Sequence, residues 1–273
     1  MDVCAKLRRV LGERRIGHAG TLDPMATGVL PVFVGRATRA VEFASEGEKE
    51  YLAGLRLGLV TDTQDTTGTV LESRPVAVNL EQLTEALAPF RGKIQQIPPM
   101  YSAIKIQGKK LYELARKGRE VERPPRPITI HSLTVEEQVN ATDFLLRVRC
   151  SKGTYVRTLC HDIGQLLGCG GTMFSLRRTM AAGFTLGQSH SLEEVLNHPN
   201  PSSLLMPVDA YFSGRPKVIL PPEPAKKVRN GMAIPAPQLA EGEYRVYGPA
   251  EEFLALSRVE RGTLRTIKSF FEV

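Results

Sequence analysis

Residues 17–30 read Gly-His-Ala-Gly-Thr-Leu-Asp-Pro-Met-Ala-Thr-Gly-Val-Leu. One carboxylate, Asp23, stands in a loop dense with residues that fix backbone shape. Gly17, Gly20 and Gly28 allow backbone angles and close approaches that other residues resist. Pro24 fixes its own φ and biases Asp23 toward an extended conformation. Such a stretch serves either as a tight structural turn or as a mount that holds one carboxylate in one pose. Asp and Gly are turn residues in any case, so residue types alone do not separate the two.

The rest of the chain narrows the classes. Its 273 residues suffice for one large domain or two. With 42% hydrophobic and 24% charged residues it reads as a soluble globular protein. No apolar run approaches the roughly 20 residues that span a bilayer. Residues 1–11 carry cations without an apolar core, which is not a secretory signal, so a cytoplasmic location is expected. Cys4, Cys150, Cys160 and Cys169 form no Cys-x-x-Cys pair, and Cys160 beside His161 fits no usual zinc spacing. Reduced, mostly buried thiols and no metal are expected. The net charge is +7, which favours a polyanionic partner. Between Met100 and Pro127 eight Lys or Arg face three Glu, and this basic insertion suits a surface that meets phosphates. With no Trp present, stacking on bases falls to Tyr, Phe or His.

Periodicity predicts a helix over residues 2–11, with Val3, Leu7, Val10 and Leu11 at helical spacing. Val29 to Val34 reads as a buried strand despite Pro31, and residues 37–44 as a helix. Tyr51, Ala53, Leu55, Leu57 and Leu59 alternate, which predicts a strand from Lys49 to Leu59. Thr61 to Gly68 is a polar turn. Asn79 opens a helix to about Phe90, with Gln82 completing a capping box. A short helix over residues 109–117 interrupts the basic insertion. Ile128 to Val135 and Phe144 to Cys150 read as strands. Residues 153–167 form a turn and then a helix ended by Gly168. Ser191 caps another short helix, and residues 216–273 read as short strands. Strands and helices mix without βαβ alternation, so the class is α+β with a largely antiparallel sheet.

The stretch Gly17 to Leu30 closely resembles the catalytic motif of the TruB family of tRNA pseudouridine synthases. The resemblance continues in order through Lys49-Glu50-Tyr51, Leu57-Gly58, Thr61-Asp62-Thr63 and residues 98–103 (PPMYSA). It goes on through residues 111–116 (LYELAR), Val121-Glu122-Arg123, residues 151–157 (SKGTYVR) and Leu176-Arg177-Arg178. The tail resembles a PUA-like RNA-binding module. The family's usual opening strand with a Lys-Pro segment is not found before the first helix, and two readings of this stay open: the sequence begins at an internal Met, or the protein lacks an edge element of the fold. Where the family commonly has Thr, position 19 is Ala.

The resemblance implies a pseudouridine-synthase fold: a mixed, largely antiparallel central sheet flanked by helices, with a small β-rich PUA-like domain. It implies a catalytic domain over 1–205, carrying a basic insertion at about 98–127, and an RNA-binding domain over 206–273. The implied reaction isomerises uridine at position 55 in the tRNA T-loop, on a base flipped out of its stack. Breaking a glycosidic bond calls for a carboxylate acting as nucleophile or as base, and Asp23 is the candidate. Arg157 matches the family's cation for that carboxylate, Tyr51 its aromatic partner for the base, and Tyr155 supplies a hydroxyl for proton transfer at C5. Leu176 would pack on the base and His18 would fill its vacated place in the RNA. Gly20, Thr21, Leu22, Lys105, Lys109, Arg123, Arg177 and Arg178 complete the implied RNA contacts. No cofactor is implied, and a monomer acting on the T-arm without an obligate protein partner is expected. Two other readings stay open from the sequence: a non-catalytic RNA-binding factor on the same scaffold, and a synthase working inside a guide-RNA particle.

Overall fold

The alternation that begins at Tyr51 produces the strand Lys49–Leu57, an inner strand of a seven-stranded sheet. The computed structural model of the protein describes residues 3–106 and 108–271. The sheet runs in the order Phe184–Thr185, Gly171–Ala181, Lys49–Leu57, Asp143–Cys150, Arg126–Gln138, Gly92–Gln96. All neighbours on this path are antiparallel. The two-residue strand Thr27–Gly28 joins Gly171–Ala181 in parallel, at Arg177 and Arg178, and makes the sheet mixed.

Ala53, Leu55, Leu146, Val148 and Met173 from the sheet, with Leu159 and Ile163 from the helix Val156–Leu166, form the main core. Helix and sheet approach closely at Gly164, where a Cβ would stand 2.1 Å from the Gly171 nitrogen. The strand ends two residues before the expected Leu59. Gly58 takes φ +90°, and Leu59–Thr61 turns away to pair with Val70–Ser73. The capping box reads as expected: Asn79 accepts from the Gln82 amide at 2.8 Å and Gln82 accepts from the Asn79 amide at 2.9 Å. The helix it starts is Leu80–Ala86, followed by a 3-10 turn at Ala88–Phe90. The helix of the basic insertion is shorter than expected, Leu111–Ala115.

The chain forms two compact units. One holds residues 21–29 and 46–187, with the seven-stranded sheet. The other holds the chain up to Gly20, residues 30–45, and the chain from Gln188 onward. In this second unit the first helix is Val3–Leu11; Asp2, its expected first residue, lies outside the described residues. Ile16–His18 pairs with Val32–Val34, so the run read as Val29 to Val34 is strand only in its second half, after Pro31. Residues 35–46 form a 3-10 helix and then an α-helix rather than one helix. The tail forms a five-stranded sheet in the order Lys217–Ile219, Gly242–Tyr247, Phe253–Glu260, Thr263–Ser269, Ile234–Pro235, consistent with a PUA-like module. Phe212 is the hub of this unit, with ring centroids 5.6 Å from Phe43 and 5.5 Å from Phe270. Among the described residues no helix is long and apolar enough to cross a membrane.

Candidate active site

The strand Gly171–Ala181 carries two loops, and each presents a carboxylate. The first loop contains Asp23. Its tip is a β-turn in which the Ala26 amide donates to the Asp23 carbonyl at 2.9 Å, with Pro24 at the second position, where its fixed φ suits the turn. Gly28 lies flat on the strand at φ +102°; a Cβ there would meet the Arg178 carbonyl oxygen at 2.2 Å. The Val29 amide donates to the Arg178 carbonyl at 2.9 Å, and Arg178 Nε returns a bond to the Val29 carbonyl at 2.7 Å. The second loop, the polar turn after Thr61, contains Asp65. It docks higher on the same strand, where Met173 exchanges backbone bonds with Gln64 and Thr66 at 3.0 and 2.9 Å.

Arg157 joins the two carboxylates. It lies in the first turn of the helix Val156–Leu166 and is 5% exposed. A cation at a helix N-terminus opposes the helix dipole, and a buried one needs partners. Its Nε stands 3.0 Å from Asp23 Oδ2 and one terminal nitrogen 3.7 Å from Asp65 Oδ2. Nη2 donates to the Tyr101 carbonyl at 2.9 Å and Nη1 to the Thr63 carbonyl at 3.3 Å. Asp65 is itself held by the Thr63 hydroxyl at 2.9 Å and the Thr67 amide at 3.0 Å. Asp23 keeps 37% of its side chain open to solvent, so the fixed carboxylate is reachable from outside. Burial raises its pKa above the ordinary 3.8, the Arg157 guanidinium pulls it down, and the charge of Asp65 pushes it up again. A carboxylate desolvated in this way is the more basic and more nucleophilic for it.

Two phenols border the pair. Tyr51 is the register partner of Arg178 on the neighbouring strand, and its hydroxyl is pushed up in pKa by burial, with the Arg178 charge opposing the shift. Tyr155 immediately precedes the helix of Arg157; burial raises its pKa too, against the Ser102 hydroxyl and Arg157. The negative charge of Asp23 adds to the rise at both hydroxyls. Leu176 is buried opposite Ala53, two residues along the strand from Tyr51.

Asp23 and Arg157 are thus brought into contact, Tyr155 stands at the start of the Arg157 helix, and Tyr51 and Leu176 belong to the core against which Met25 and Ala26 of the Asp23 loop pack. Arg178 departs from expectation. It was expected on the RNA but is 1% exposed, and its guanidinium holds the Val29 carbonyl at 2.7 Å; it is a tie for the Asp23 loop. Arg177, its neighbour, is exposed, as are Lys105 and Lys109 on the two-stranded hairpin of the basic insertion. Arg123 is half-buried and paired with Glu120 at 3.0 Å. Thr21 is exposed and Leu22 half-buried in the Asp23 loop, while Gly20 takes φ +82°. His18 ends the Ile16–His18 strand with its Nδ1 buried and without a hydrogen-bond partner. Sequence reading missed Asp65, which lay inside a stretch read only as a polar turn, and Gln96, which carried no signal.

The family model described as TruB family pseudouridylate synthase (N terminal domain) matches residues 8–156. Two C-terminal models of the same enzymes match residues 157–213 and 216–266. The chain is 41% identical to a tRNA pseudouridine synthase B of Clostridium kluyveri, covering 98% of this chain and 94% of that one. It is 45% identical to one of Moorella thermoacetica, covering 96% and 90%. Among solved structures, a chain of a Cbf5-Nop10-Gar1 complex superposes with TM-score 0.73 at 24% identity, covering 98% of this chain and 80% of that one. A chain of an H/ACA RNP bound to a substrate RNA containing 2'-deoxyuridine gives 0.72 at 22% identity, covering 99% and 80%. These two share the fold.

Proposed function

The chain belongs to the TruB family of pseudouridylate synthases and is an isomerase acting on tRNA, and from that premise we propose that its target is the uridine at position 55 of the T-loop, with Asp23 as the acting carboxylate. The observation that carries this reading is Arg157, whose Nε stands 3.0 Å from Asp23 Oδ2, beside two half-buried phenols. The uridine leaves its stack and enters against Tyr51 and Leu176. Asp23 acts on the sugar while the base detaches from C1′, turns, and rejoins through C5. The Tyr155 hydroxyl moves the proton at C5. Lys105 and Lys109 meet phosphates of the T-arm, and His18 enters the RNA where the base was. We place the catalytic part in residues 1–205 and an RNA-binding part in 206–273, acting as a monomer in the cytoplasm.

Pseudouridine mapping of unmodified tRNA tests this directly. The protein converts position 55, and Asp23→Asn converts nothing. Full activity in Asp23→Asn, or product at another uridine, overturns the reading. Arg157→Ala lowers turnover far more than affinity for tRNA, because its partners are protein carboxylates and carbonyls.

A further inference from the structure

The amide side chain of Gln96 bonds a single backbone residue twice. Its Oε1 accepts from the Tyr155 N–H at 2.8 Å and its Nε2 donates to the Tyr155 C=O at 3.0 Å. Gln96 is 3% exposed, so neither bond is shared with solvent. A buried amide held at both ends is a stiff connection, because losing either bond strands a polar group away from water.

The position of this clamp gives it meaning. Tyr155 is the N-cap residue of the helix Val156–Leu166, and that helix has no side-chain cap of its own. The Tyr155 carbonyl already accepts the first helical bond, from Leu159 at 3.1 Å. Gln96 therefore fixes the backbone from which both the Tyr155 ring and, two residues on, the Arg157 guanidinium project. Gln96 also ends the strand Gly92–Gln96, where it pairs with Arg126. That pair closes the root of the basic insertion. A few residues into the insertion, the Tyr101 carbonyl receives Arg157 at 2.9 Å. The insertion is thus tied to the helix start at two points, and Gln96 is the rigid one.

We propose that Gln96 is a positioning residue for the reaction, holding Tyr155 and Arg157 in register with Asp23 from the root of the RNA-gripping insertion. The proposal rests on the reading of Asp23, Tyr155 and Arg157 as the reacting group. It touches no substrate itself; its effect is transmitted through the Tyr155 backbone. Displacing catalytic groups by about 1 Å costs on the order of 100-fold in rate. Loss of the clamp therefore lowers the single-turnover rate while leaving the grip on RNA intact.

The test measures single-turnover pseudouridine formation on unmodified tRNA, tRNA affinity and melting temperature, for the full chain and for Gln96→Ala, Gln96→Glu and Asp23→Asn. Gln96→Ala at saturating tRNA is expected to fall by about 10- to 100-fold in rate, with affinity within about twofold. Gln96→Glu adds a pH readout, taken across a pH range where melting shows the variant fully folded throughout. Its ionised carboxylate accepts from the Tyr155 N–H but repels the carbonyl, whereas its protonated form reproduces both bonds. Its rate relative to the parent protein therefore rises as pH falls. Parent-like rates in Gln96→Ala, or a fall that only follows the folded fraction, overturn the proposal. If Gln96→Ala does not fold, Gln96→Glu decides: a rate ratio flat in pH overturns it. Asp23→Asn separates the layers, since activity there defeats the underlying reading, whereas an inactive Asp23→Asn with an unaffected Gln96→Ala defeats only this inference.

Discussion

Asp23 is a carboxylate whose burial wins over its ion pair. Its pKa is raised although Arg157 stands 3.0 Å away, because desolvation outweighs the guanidinium and Asp65 adds a like charge. An acid with a raised native pKa holds its proton more tightly folded than unfolded. Its contribution to stability therefore falls as pH rises from 3.8 through the native value, the reverse of the usual salt-bridged aspartate. At neutral pH the ionised group is kept for chemistry at the expense of stability. Two outcomes follow. Asp23→Asn, neutral and of the same shape, melts no lower than the parent protein at pH 7 while losing activity; a clearly lower melting temperature contradicts the assignment of the shift to burial. The acid limb of the single-turnover rate lies above 3.8. In Arg157→Ala what rate remains has its acid limb moved further up, because the opposing charge is gone. This residue-scale logic was partly legible. The glycines and Pro24 announced a shaped loop, and the resemblance named Arg157, but no pattern in the sequence links Asp65 to either, since their meeting depends on two loops landing on one strand.

That strand, Gly171–Ala181, is also where element reading ran short. It bulges between Met173 and Ser175 and again between Arg178 and Met180, and each bulge resets the alternation that marks a strand. The same irregularities are useful, since Met173 is where the Asp65 loop docks and Arg178 where the Asp23 loop docks. Lys49–Leu57 was legible up to Gly58, whose positive φ ended a pattern that the side chains alone would continue. The capping box at Asn79 was fully legible because it is local. These two kinds of element predict different behaviour. Gly28→Ala puts a Cβ 2.2 Å from the Arg178 carbonyl at φ +102°, so the loop lifts from its strand. It is expected to cost about 1–3 kcal/mol in stability and on the order of 100-fold in rate. Asn79→Ala costs about 1 kcal/mol by loss of the cap and leaves single-turnover rate unchanged. Thermal melts with tRNA turnover check both, and equal losses of activity in the two variants would show that the rate follows stability rather than loop placement.

At the scale of the molecule, the composition of each compact unit escaped the sequence. Phe43 meets Phe212 ring to ring, and Tyr211 donates to the Phe43 carbonyl at 3.0 Å, contacts that span more than 160 positions along the chain. Periodicity reports neighbours a few residues apart and is silent about such pairs. Charge, in contrast, was readable without any fold. A net +7 with a basic cluster between Met100 and Pro127 gives a polyanion surface whatever the tertiary arrangement. The structure then sorts that charge. Arg178 is buried and structural, and Arg123 is paired with Glu120, so neither cation is free to release counterions from RNA. Lys105 and Lys109 are exposed on the hairpin and available, as are Arg116, Lys117, Arg119 and Arg126 further along the insertion. Each lysine that neutralises a phosphate contributes about one unit to the slope of log affinity against log salt. Affinity for tRNA is therefore expected to fall steeply with salt, and the double variant Lys105→Ala, Lys109→Ala to flatten the slope by about two units. Arg123→Ala changes the slope by much less than one unit, since its counter-charge is already the protein's own Glu120. Binding titrations across a salt series measure all three slopes. If Arg123→Ala flattens the slope as much as either lysine does, the grip on RNA is spread over the whole basic cluster instead of resting on the hairpin.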